Sequence, residues 1–558
     1  MKKFRFILAL VLVLTMVLST PLMAMAATHE AYGSDDIYNA FETDTDDEVI
    51  INMKNDIVMD YGDTLYSNEG QNYTINGNGN TIADVEIYGA GDVTIEADVT
   101  GEDNYAALAV GDEANVTVNG DVIGQDGDPG EVDTTDPEDF SDGGVGVIAT
   151  GEAEVTVNGD VTGGDAYGTY GWAGDGIEAM DQAKVTVNGD VTGGSVTADP
   201  DVEAYYNEYD ESYSVSQGGN GVDAYDDASV TVNGNVTGGS TNGDLGNGGV
   251  GVNAYNYVSY EEEEDVSASV TVTGDVTGGN ATNGNGGIGV EAHETASVNV
   301  GGDVTGGDAT TGDAGAGIYT TNDTTITVGG DVTGGTATDG GESGNGIVAE
   351  YYGMYWEDND LGVEQGTVTV EGTVSGGDGA AAIFFAAPEE LAEMMEEIGK
   401  VKMEAALNKA PADLTMEDIF ALSLAVEAMQ ENGDLTEEEV ERYVAEMESV
   451  NSSEEEMALI QKIVKAEMNQ KIDLLAEFVD NIGMDYSLIT VGSVSEKNGP
   501  AYDSTIGQEF AKAMAEKHVT QTAVTPATGD GFNPMMVLAA ALVSLMGVCA
   551  LVVKKKAA

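Results

Sequence analysis

The sequence predicts a mainly β fold, a right-handed parallel β-helix with an inserted or capping α-helical segment near the C-terminus. The main observation is the unit Val-Thr-Val-Asn-Gly-Asp-Val-Thr-Gly-Gly at residues 155–164, which recurs along the chain. Near copies begin at Val93, Val116, Val185, Val230, Val270, Val298, Ile326 and Val368. Three of these copies follow one another at a constant spacing of 28 residues, which is typical of a solenoid of stacked units.

The pattern inside the unit predicts three short strands in each coil. Val155 and Val157 alternate with Thr156, so the valines face one side and the threonine faces the other. Asn158-Gly159 favours a turn, a second strand follows, and Gly163-Gly164 ends it. A further apolar segment, Gly-Ile/Val-x-Ala, supplies the third strand at residues 176–179, 221–224, 251–254 and 289–292. About twelve such coils at ~4.8 Å each predict a rod near 60 Å long, right-handed by default.

One early segment points to a known superfamily. Residues 71–82, Gln-Asn-Tyr-Thr-Ile-Asn-Gly-Asn-Gly-Asn-Thr-Ile, resemble a coil of the pectin-lyase-like right-handed β-helix superfamily. Together with the repeats, the resemblance covers about residues 48–387, and we place the β-helix domain at 28–387. Similar repeats occur in wall-anchored surface proteins of Gram-positive bacteria, which implies a role in display or adhesion.

The N-terminus has the features of a secretory signal peptide, which we place at residues 1–27. Lys2, Lys3 and Arg5 precede an apolar run at residues 7–18, and Ala24-Met25-Ala26 provides a small-residue cleavage site. An uncleaved membrane anchor is the alternative. The signal peptide predicts export.

The C-terminal segment, residues 521–558, resembles a sortase cell-wall sorting signal. Its motif consists of Thr525, Pro526, Ala527, Thr528 and Gly529. An apolar run at residues 535–553 is long enough to span a bilayer, and three lysines follow it. The resemblance implies cleavage between Thr528 and Gly529 by sortase, attachment to peptidoglycan, and a location in the Gram-positive cell wall. Thr525 replaces the leucine of the family pattern, which leaves the sortase class open. A plain transmembrane anchor is the alternative.

Between these ends, residues 388–483 change from a period of two to a period of 3.6, which predicts α-helices. Pro388 suits a helix start, and Thr415, Thr436 and Ser453 begin capping-box patterns. We interpret this segment as a helical insertion or cap over the last coil, with a partner-binding helix pair as the alternative. A final strand at 487–491 and a short helix at 504–517 are expected within residues 484–520.

Composition excludes several classes of function. The formal charge of −83 repels nucleic acid and anionic lipid, so the membrane is expected to be contacted only through the C-terminal segment before processing. Cys549, the one cysteine, lies in the apolar tail, and His29, His293 and His518 are too scattered to suggest a zinc site. The same charge concentrates Ca²⁺, but no motif fixes a calcium site, so calcium remains an open cofactor.

The resemblance also raises the possibility of an enzyme, since the superfamily includes polysaccharide lyases and hydrolases. Only Lys54 and Lys184 are basic between residues 28 and 399, which argues against cleavage of acidic polysaccharides. Hydrolysis by paired carboxylates stays open, but abundant acidic residues make any chosen pair uninformative. We therefore expect no enzymatic activity. Rows of Thr and Asn, such as Thr156 and Asn158, are interpreted as structural rather than as an ice-binding face.

The predicted ligand contacts lie in three insertions that interrupt the repeat, at residues 195–217, 255–265 and 351–365. They concentrate aromatic side chains beside acidic runs, and we expect these residues to contact a glycan or a surface protein. The candidates are Tyr205, Tyr206, Tyr209, Tyr213, Tyr255, Tyr257, Tyr260, Tyr351, Tyr352, Tyr355 and Trp356. The alternatives are that the tyrosines only pack the loops, that the rod is a calcium-loaded spacer, or that it hydrolyses a glycan.

Overall fold

The computed structural model is a parallel β-helix, which confirms the fold class predicted from the sequence. It describes residues 26–60, 62–102, 105–129, 140–198, 205–207, 212–256, 267–321, 324–350, 366–386, 486–505 and 508–522. The strands of successive coils stack in parallel and in register, and they form four ladders that run along the rod.

Ladder 1 is the face built from the Val-Thr-Val segments. Its strands are Ala27–Ala31, Glu48–Met53, Asn72–Asn76, Asp92–Glu96, Asn115–Val118, Glu154–Val157, Lys184–Val187, Ser229–Val232, Ser269–Val272, Ser297–Val300, Thr325–Val328, Thr367–Ser375, Leu488–Val494 and Val519–Gln521. Ladder 2 follows it in each coil. Its strands are Ile57–Val58, Ile82–Ala83, Val99–Thr100, Val122–Ile123, Val161–Thr162, Val191–Thr192, Val236–Thr237, Val276–Thr277, Val304–Thr305 and Val332–Thr333.

Ladder 3 is the face built from the Gly-Ile/Val-x-Ala segments. Its strands are Leu65–Ser67, Val85–Gly89, Ala106–Val110, Val145–Ala149, Ile177–Ala179, Val222–Tyr225, Val252–Tyr255, Val290–Ala292, Ile318–Thr320, Ile347–Glu350, Ile383–Ala386 and Tyr502–Ser504. Ladder 4 is shorter. Its strands are Ala166–Tyr167, Val196–Thr197, Thr241–Asp244 and Ala281–Asn283. A separate antiparallel hairpin joins Tyr205–Asn207 to Ser212–Ser214.

The core is a stack of β-branched side chains, as the alternation in the repeat predicts. Val155 pairs in register with Val185, which pairs with Val230, and each is only 1% exposed. Val270, Val298 and Ile326 continue the same row at the predicted spacing. Valine and isoleucine suit this position because their branched side chains pack well on a pleated surface.

The asparagines of the repeat also form a stack, on the exterior. The side-chain amide of Asn158 donates to Asn119 Oδ1 (2.6 Å), Asn188 donates to Asn158 (2.6 Å), and Asn233 donates to Asn188 (2.8 Å). The row ends at Thr273, whose hydroxyl donates to the Asn233 carbonyl oxygen (2.7 Å). These amides hold neighbouring coils together, which supports their structural interpretation.

The paired glycines form a narrow neck beside the main core. The segment that leaves the core and the segment that returns to it meet there. Along the rod, each backbone N–H of one segment donates to a backbone carbonyl of the other. Gly174 N–H donates to the Gly164 carbonyl (2.9 Å), and Gly194 N–H donates to the Gly174 carbonyl (2.8 Å). A Cβ on Gly194 would overlap the Gly164 carbonyl oxygen, so only glycine fits. Gly163-Gly164 thus ends the strand, as predicted, and also builds this neck.

Beyond the neck, the chain forms what we call the satellite arm, which carries ladder 4. Its described residues are 165–173, 195–198, 205–207, 212–217, 240–247, 280–285, 308–314 and 336–343. Ladder 4 continues past its last strand as bridges from Ala281 to Ala309 and from Ala309 to Ala337. The arm was not predicted, because the sequence pattern shows where strands end but not how two glycine segments pair.

Helices lie against both ends of the described rod. Helix α1, Ser34–Thr43, buries Ile37 and Phe41 against the first coils, and Phe41 stacks on Tyr73 at 4.1 Å. Helix α2, Gln508–His518, buries Met514 at the other end. The short helix predicted at 504–517 is therefore present, as is the final strand predicted at 487–491, whereas α1 was missed.

Several predicted segments lie outside the described residues. They are the signal peptide apart from its last two residues, the helical segment at 388–483, and the sorting motif with the apolar run that follows it. Within the part of the chain that the structure describes, no helix is both long enough and apolar enough to cross a membrane.

Candidate functional site

The outer surface of ladder 3 carries a continuous polar and aromatic strip, which we call the ladder-3 face. Because side chains alternate along each strand, the residue between the buried Ile177 and Ala179 points outward. That position is occupied in successive coils by Glu178, Asp223, Asn253, Glu291 and Tyr319. A second outward row contains Tyr225, Tyr255 and His293.

Asp223 is the most enclosed acid of this face. Only 5% of the residue is exposed. Its Oδ2 accepts hydrogen bonds from the Tyr225 hydroxyl (2.6 Å) and the Asn220 amide (3.2 Å), and its Oδ1 accepts one from the Asn253 amide (2.8 Å). Oδ2 is therefore engaged within its own coil and Oδ1 by the next coil.

Two carboxyl groups here hold their protons unusually tightly. Burial raises the pKa of Asp223 to about 6, although the three hydrogen bonds it accepts oppose the rise. Burial and the nearby charge of Asp223 raise the pKa of Asp175 to about 8, against the effect of the Asn220 backbone N–H, which donates to Asp175 Oδ1 (2.5 Å). Burial also raises the pKa of Glu178. The face is thus less charged at neutral pH than its composition suggests.

Between Tyr225 and Glu350, the ladder-3 face places aromatic side chains beside charged ones. His293 Nε2 lies 2.9 Å from Glu291 Oε1, and the His293 ring is 5.5 Å from the Tyr319 ring. Tyr225 and Tyr255 meet edge to face with ring centroids 4.5 Å apart. Burial raises the pKa of Glu350, with the His293 charge acting in the opposite direction. Such surfaces offer both stacking area and hydrogen-bonding groups.

Two of the predicted binding insertions begin on this face. One follows Asn256, whose side chain bonds to the Ala268 N–H (2.9 Å) and to the Thr295 hydroxyl, which fixes both ends of the insertion. The other follows Glu350. Tyr255 itself belongs to the strand Val252–Tyr255, so the insertion starts later than predicted. Six candidates of these two insertions lie outside the described residues: Tyr257, Tyr260, Tyr351, Tyr352, Tyr355 and Trp356.

The third insertion is on the satellite arm rather than on ladder 3. Tyr205 and Tyr206 lie on one strand of the antiparallel hairpin, and Tyr213 lies on the other, opposite Tyr206. Tyr209 lies outside the described residues. The predicted candidates therefore fall into two separate groups, one at ladder 3 and one on the arm.

Sequence reasoning missed Asp175, Asp223, Tyr225 and His293. A signal was present in the third position of the Gly-Ile/Val-x-Ala segments. That position varies among Glu178, Asp223, Asn253 and Glu291 while its neighbours stay constant. A variable outward residue on a constant scaffold is typical of a recognition surface.

One group of three carboxylates lies close enough together to hold a metal ion. Oxygens of Asp35, Asp60 and Asp63 lie within 4.8 Å of one another near the start of helix α1. The Ser34 hydroxyl donates to Asp60 (2.9 Å). Exposed acidic groups often lie this close without a metal, so calcium binding stays a prediction.

Neither a protein-family model, nor a curated protein, nor a solved structure matches this chain.

Proposed function

We propose that the protein is a non-enzymatic surface protein of the Gram-positive cell wall that presents a rigid solenoid and binds a partner through the ladder-3 face. One observation carries the binding proposal. The insertions after Asn256 and Glu350 leave the same ladder three coils apart, about 14 Å along the rod. They therefore emerge on one side of the solenoid, next to the tyrosines and carboxylates of that face.

The attachment part of the proposal is supported by the two ends of the sequence. The basic, apolar and small-residue segments of residues 1–27 favour export. The motif at residues 525–529, the apolar run and the terminal lysines favour sortase processing and linkage to peptidoglycan. A rod fixed at its C-terminus would hold the ladder-3 face away from the membrane.

The charge and chemistry of the face favour a polar partner. With a formal charge of −83, the chain favours a neutral or cationic glycan or protein, or one bridged by calcium. Aromatic side chains on and beside the face would supply large contact areas at little cost in conformational entropy.

The enclosed position of Asp223 favours binding over hydrolysis. A hydrolase needs one carboxyl group to protonate the leaving oxygen and a second to act as nucleophile or base. Asp175 has the raised pKa of an acid, but its neighbour Asp223 is almost fully buried, with both oxygens engaged by side chains. A substrate would have to displace those contacts before it could react.

The binding proposal is tested by shortening the two insertions, residues 257–266 and 351–365, to Gly-Asn turns in the otherwise complete exported chain. The matched control replaces residues 130–139, whose described flanking residues Gly127 and Ser141 bond to the satellite arm rather than to ladder 3. Both proteins and the parent are applied to one array of glycans and extracellular matrix proteins. We expect the double variant to lose at least one of the parent's array partners with an unchanged melting temperature, and the control to retain them all. A folded double variant that still binds every partner of the parent would refute the proposal.

A further inference from the structure

The satellite arm contains an open groove that is distinct from the ladder-3 face. It has a volume of about 610 Å³, within the range of ordinary ligand sites. Ladder 4 forms its floor through Val196, Thr241, Ala281 and Ala309. The groove crosses five successive coils, which gives it a length of about 19 Å along the rod.

The two rims of the groove use their side chains differently. One rim is Ser195, Ser240, Asn280 and Asp308, and each side chain accepts a hydrogen bond from the backbone N–H of the next coil. Each of these bonds uses one acceptor site of the side chain and holds it in place. The Asn280 amide nitrogen and the serine hydroxyl protons are not used by these bonds.

The opposite rim has unused hydrogen-bonding capacity. It consists of Thr197, Asn242, Thr282, Thr310 and Thr338. All four threonines are exposed, and their hydroxyl groups make no hydrogen bond within the described residues. The hydroxyls of Thr282, Thr310 and Thr338 thus follow one another at a spacing of one coil, about 4.8 Å, and Asn242 separates them from Thr197. A ligand that matches this rim should itself repeat hydroxyl groups along a line.

Tyr167 lies at one end of the threonine rim. It pairs in register with the groove residue Thr197, one coil before the groove begins. Burial and the charges of Asp126 and Asp165 raise the pKa of Tyr167, so its hydroxyl stays a donor. A tyrosine ring beside the rim suits the C–H face of a sugar.

The charge of the groove and of the whole rod favours uncharged polymers over anionic ones. Asp308 is its one ionisable lining residue, and no lysine or arginine lines it among the described residues. Anionic chains would be repelled by the rod as a whole. We propose that this groove binds a linear, uncharged polysaccharide laid parallel to the rod axis, through the threonine rim and Tyr167.

Two described residues that flank the third insertion bond to residues of this groove. The Ala198 N–H donates to Asn242 Oδ1 (2.7 Å), and the Ser216 hydroxyl lies 3.0 Å from Thr241 Oγ1. Asn242 and Thr241 both line the groove.

The test measures binding of neutral oligosaccharides, from disaccharides to octasaccharides of glucose, xylose and mannose, by calorimetry on the complete exported chain. We expect the affinity of at least one series to rise with length and level off once the chain fills the groove. Thr282→Val with Thr310→Val should weaken that binding about tenfold, since each change removes hydrogen bonds but keeps the shape. Tyr167→Ala should weaken it by a similar factor.

The matched control is Thr271→Val with Thr327→Val, two outward threonines of ladder 1. It should leave the affinity unchanged. The proposal is overturned if no neutral series binds, if folded groove variants bind as tightly as the parent, or if polygalacturonate or an extended peptide binds in place of neutral glycans. The variant that lacks both ladder-3 insertions should still bind the oligosaccharide, so this inference and the proposed function fail independently.

Discussion

The backbone N–H of Gly194 donates a 2.8 Å hydrogen bond to the carbonyl oxygen of Gly174, across the neck that separates the core from the satellite arm. The same exchange continues from coil to coil, from Gly144 at one end to Gly377 at the other. Each of these hydrogen bonds joins a segment that leaves the core to a segment that returns to it. The neck therefore holds the core and the arm in a fixed relation along the rod.

We expect Gly194→Ala to destabilise the protein. The new methyl group would overlap the Gly164 carbonyl oxygen, and the coils would have to separate to admit it. The cost should be about 2–3 kcal/mol, seen as a lower melting temperature. Gly33→Ala is the control, because nothing lies within 4 Å of a Cβ placed there. Equal melting temperatures for the two variants would contradict this view of the neck.

The asparagine stack predicts a difference between an interior and a terminal position. The Asn188 side chain makes two bonds of the stack, donating to Asn158 and accepting from Asn233. Among the described residues, the Asn233 side chain makes one bond, the one it donates to Asn188. Asn188→Ala should therefore cost about 1 kcal/mol more than Asn233→Ala in chemical denaturation. If both variants lose the same free energy of unfolding, the second hydrogen bond of Asn188 adds no stability.

Stability should fall as pH rises from about 4 to about 8. The pKa values of Asp175 and Asp223 are raised in the folded state, to about 8 and about 6, so the folded chain holds protons that the unfolded chain releases. The stabilising contribution is complete below the unfolded pKa and is lost as pH passes the folded value. We expect a melting temperature several degrees higher at pH 5 than at pH 8.

A variant separates this effect from general charge repulsion. Asp175→Asn removes the ionisable group but keeps an acceptor for the Asn220 N–H, so it should flatten the pH profile and raise the melting temperature at pH 8. Glu113→Gln, at an exposed position, removes one charge without this burial and should leave the slope unchanged. A profile that Asp175→Asn leaves as steep as the parent's would refute the assignment.

The attachment proposal predicts the fate of Thr528→Ala. If the Thr528 carbonyl is the acyl donor in sortase transfer, the variant should move from the peptidoglycan-linked fraction to the membrane or the medium. Fractionation of cells with a wall hydrolase, followed by blotting, measures this distribution. Thr520→Ala, upstream of the motif, serves as the control. Undiminished wall linkage of Thr528→Ala would rule out transfer at this residue.

The sequence predicted the features that depend on local pattern. Val155 and Thr156 reveal the buried and outward faces because their alternation is set by the strand itself. The neck at Gly174 and the network around Asp223 escaped prediction, because each joins residues that are distant in sequence and adjacent only after the coils stack. Tyr255 shows the same difficulty. Its strand extends by one residue to stack on Tyr225, a contact that no local pattern signals.

The most direct test of the central proposal is hydroxyl-radical footprinting of the exported chain, alone and bound to its strongest array partner other than a neutral glycan. This measurement reports which side chains become protected on binding. The account predicts protection concentrated at Tyr255, His293 and Tyr319 and in the insertions at 257–266 and 351–365, with the outward threonines of ladder 1 unchanged. Protection confined to ladder 1, ladder 2 or the satellite arm, with the ladder-3 face still reactive, would contradict it.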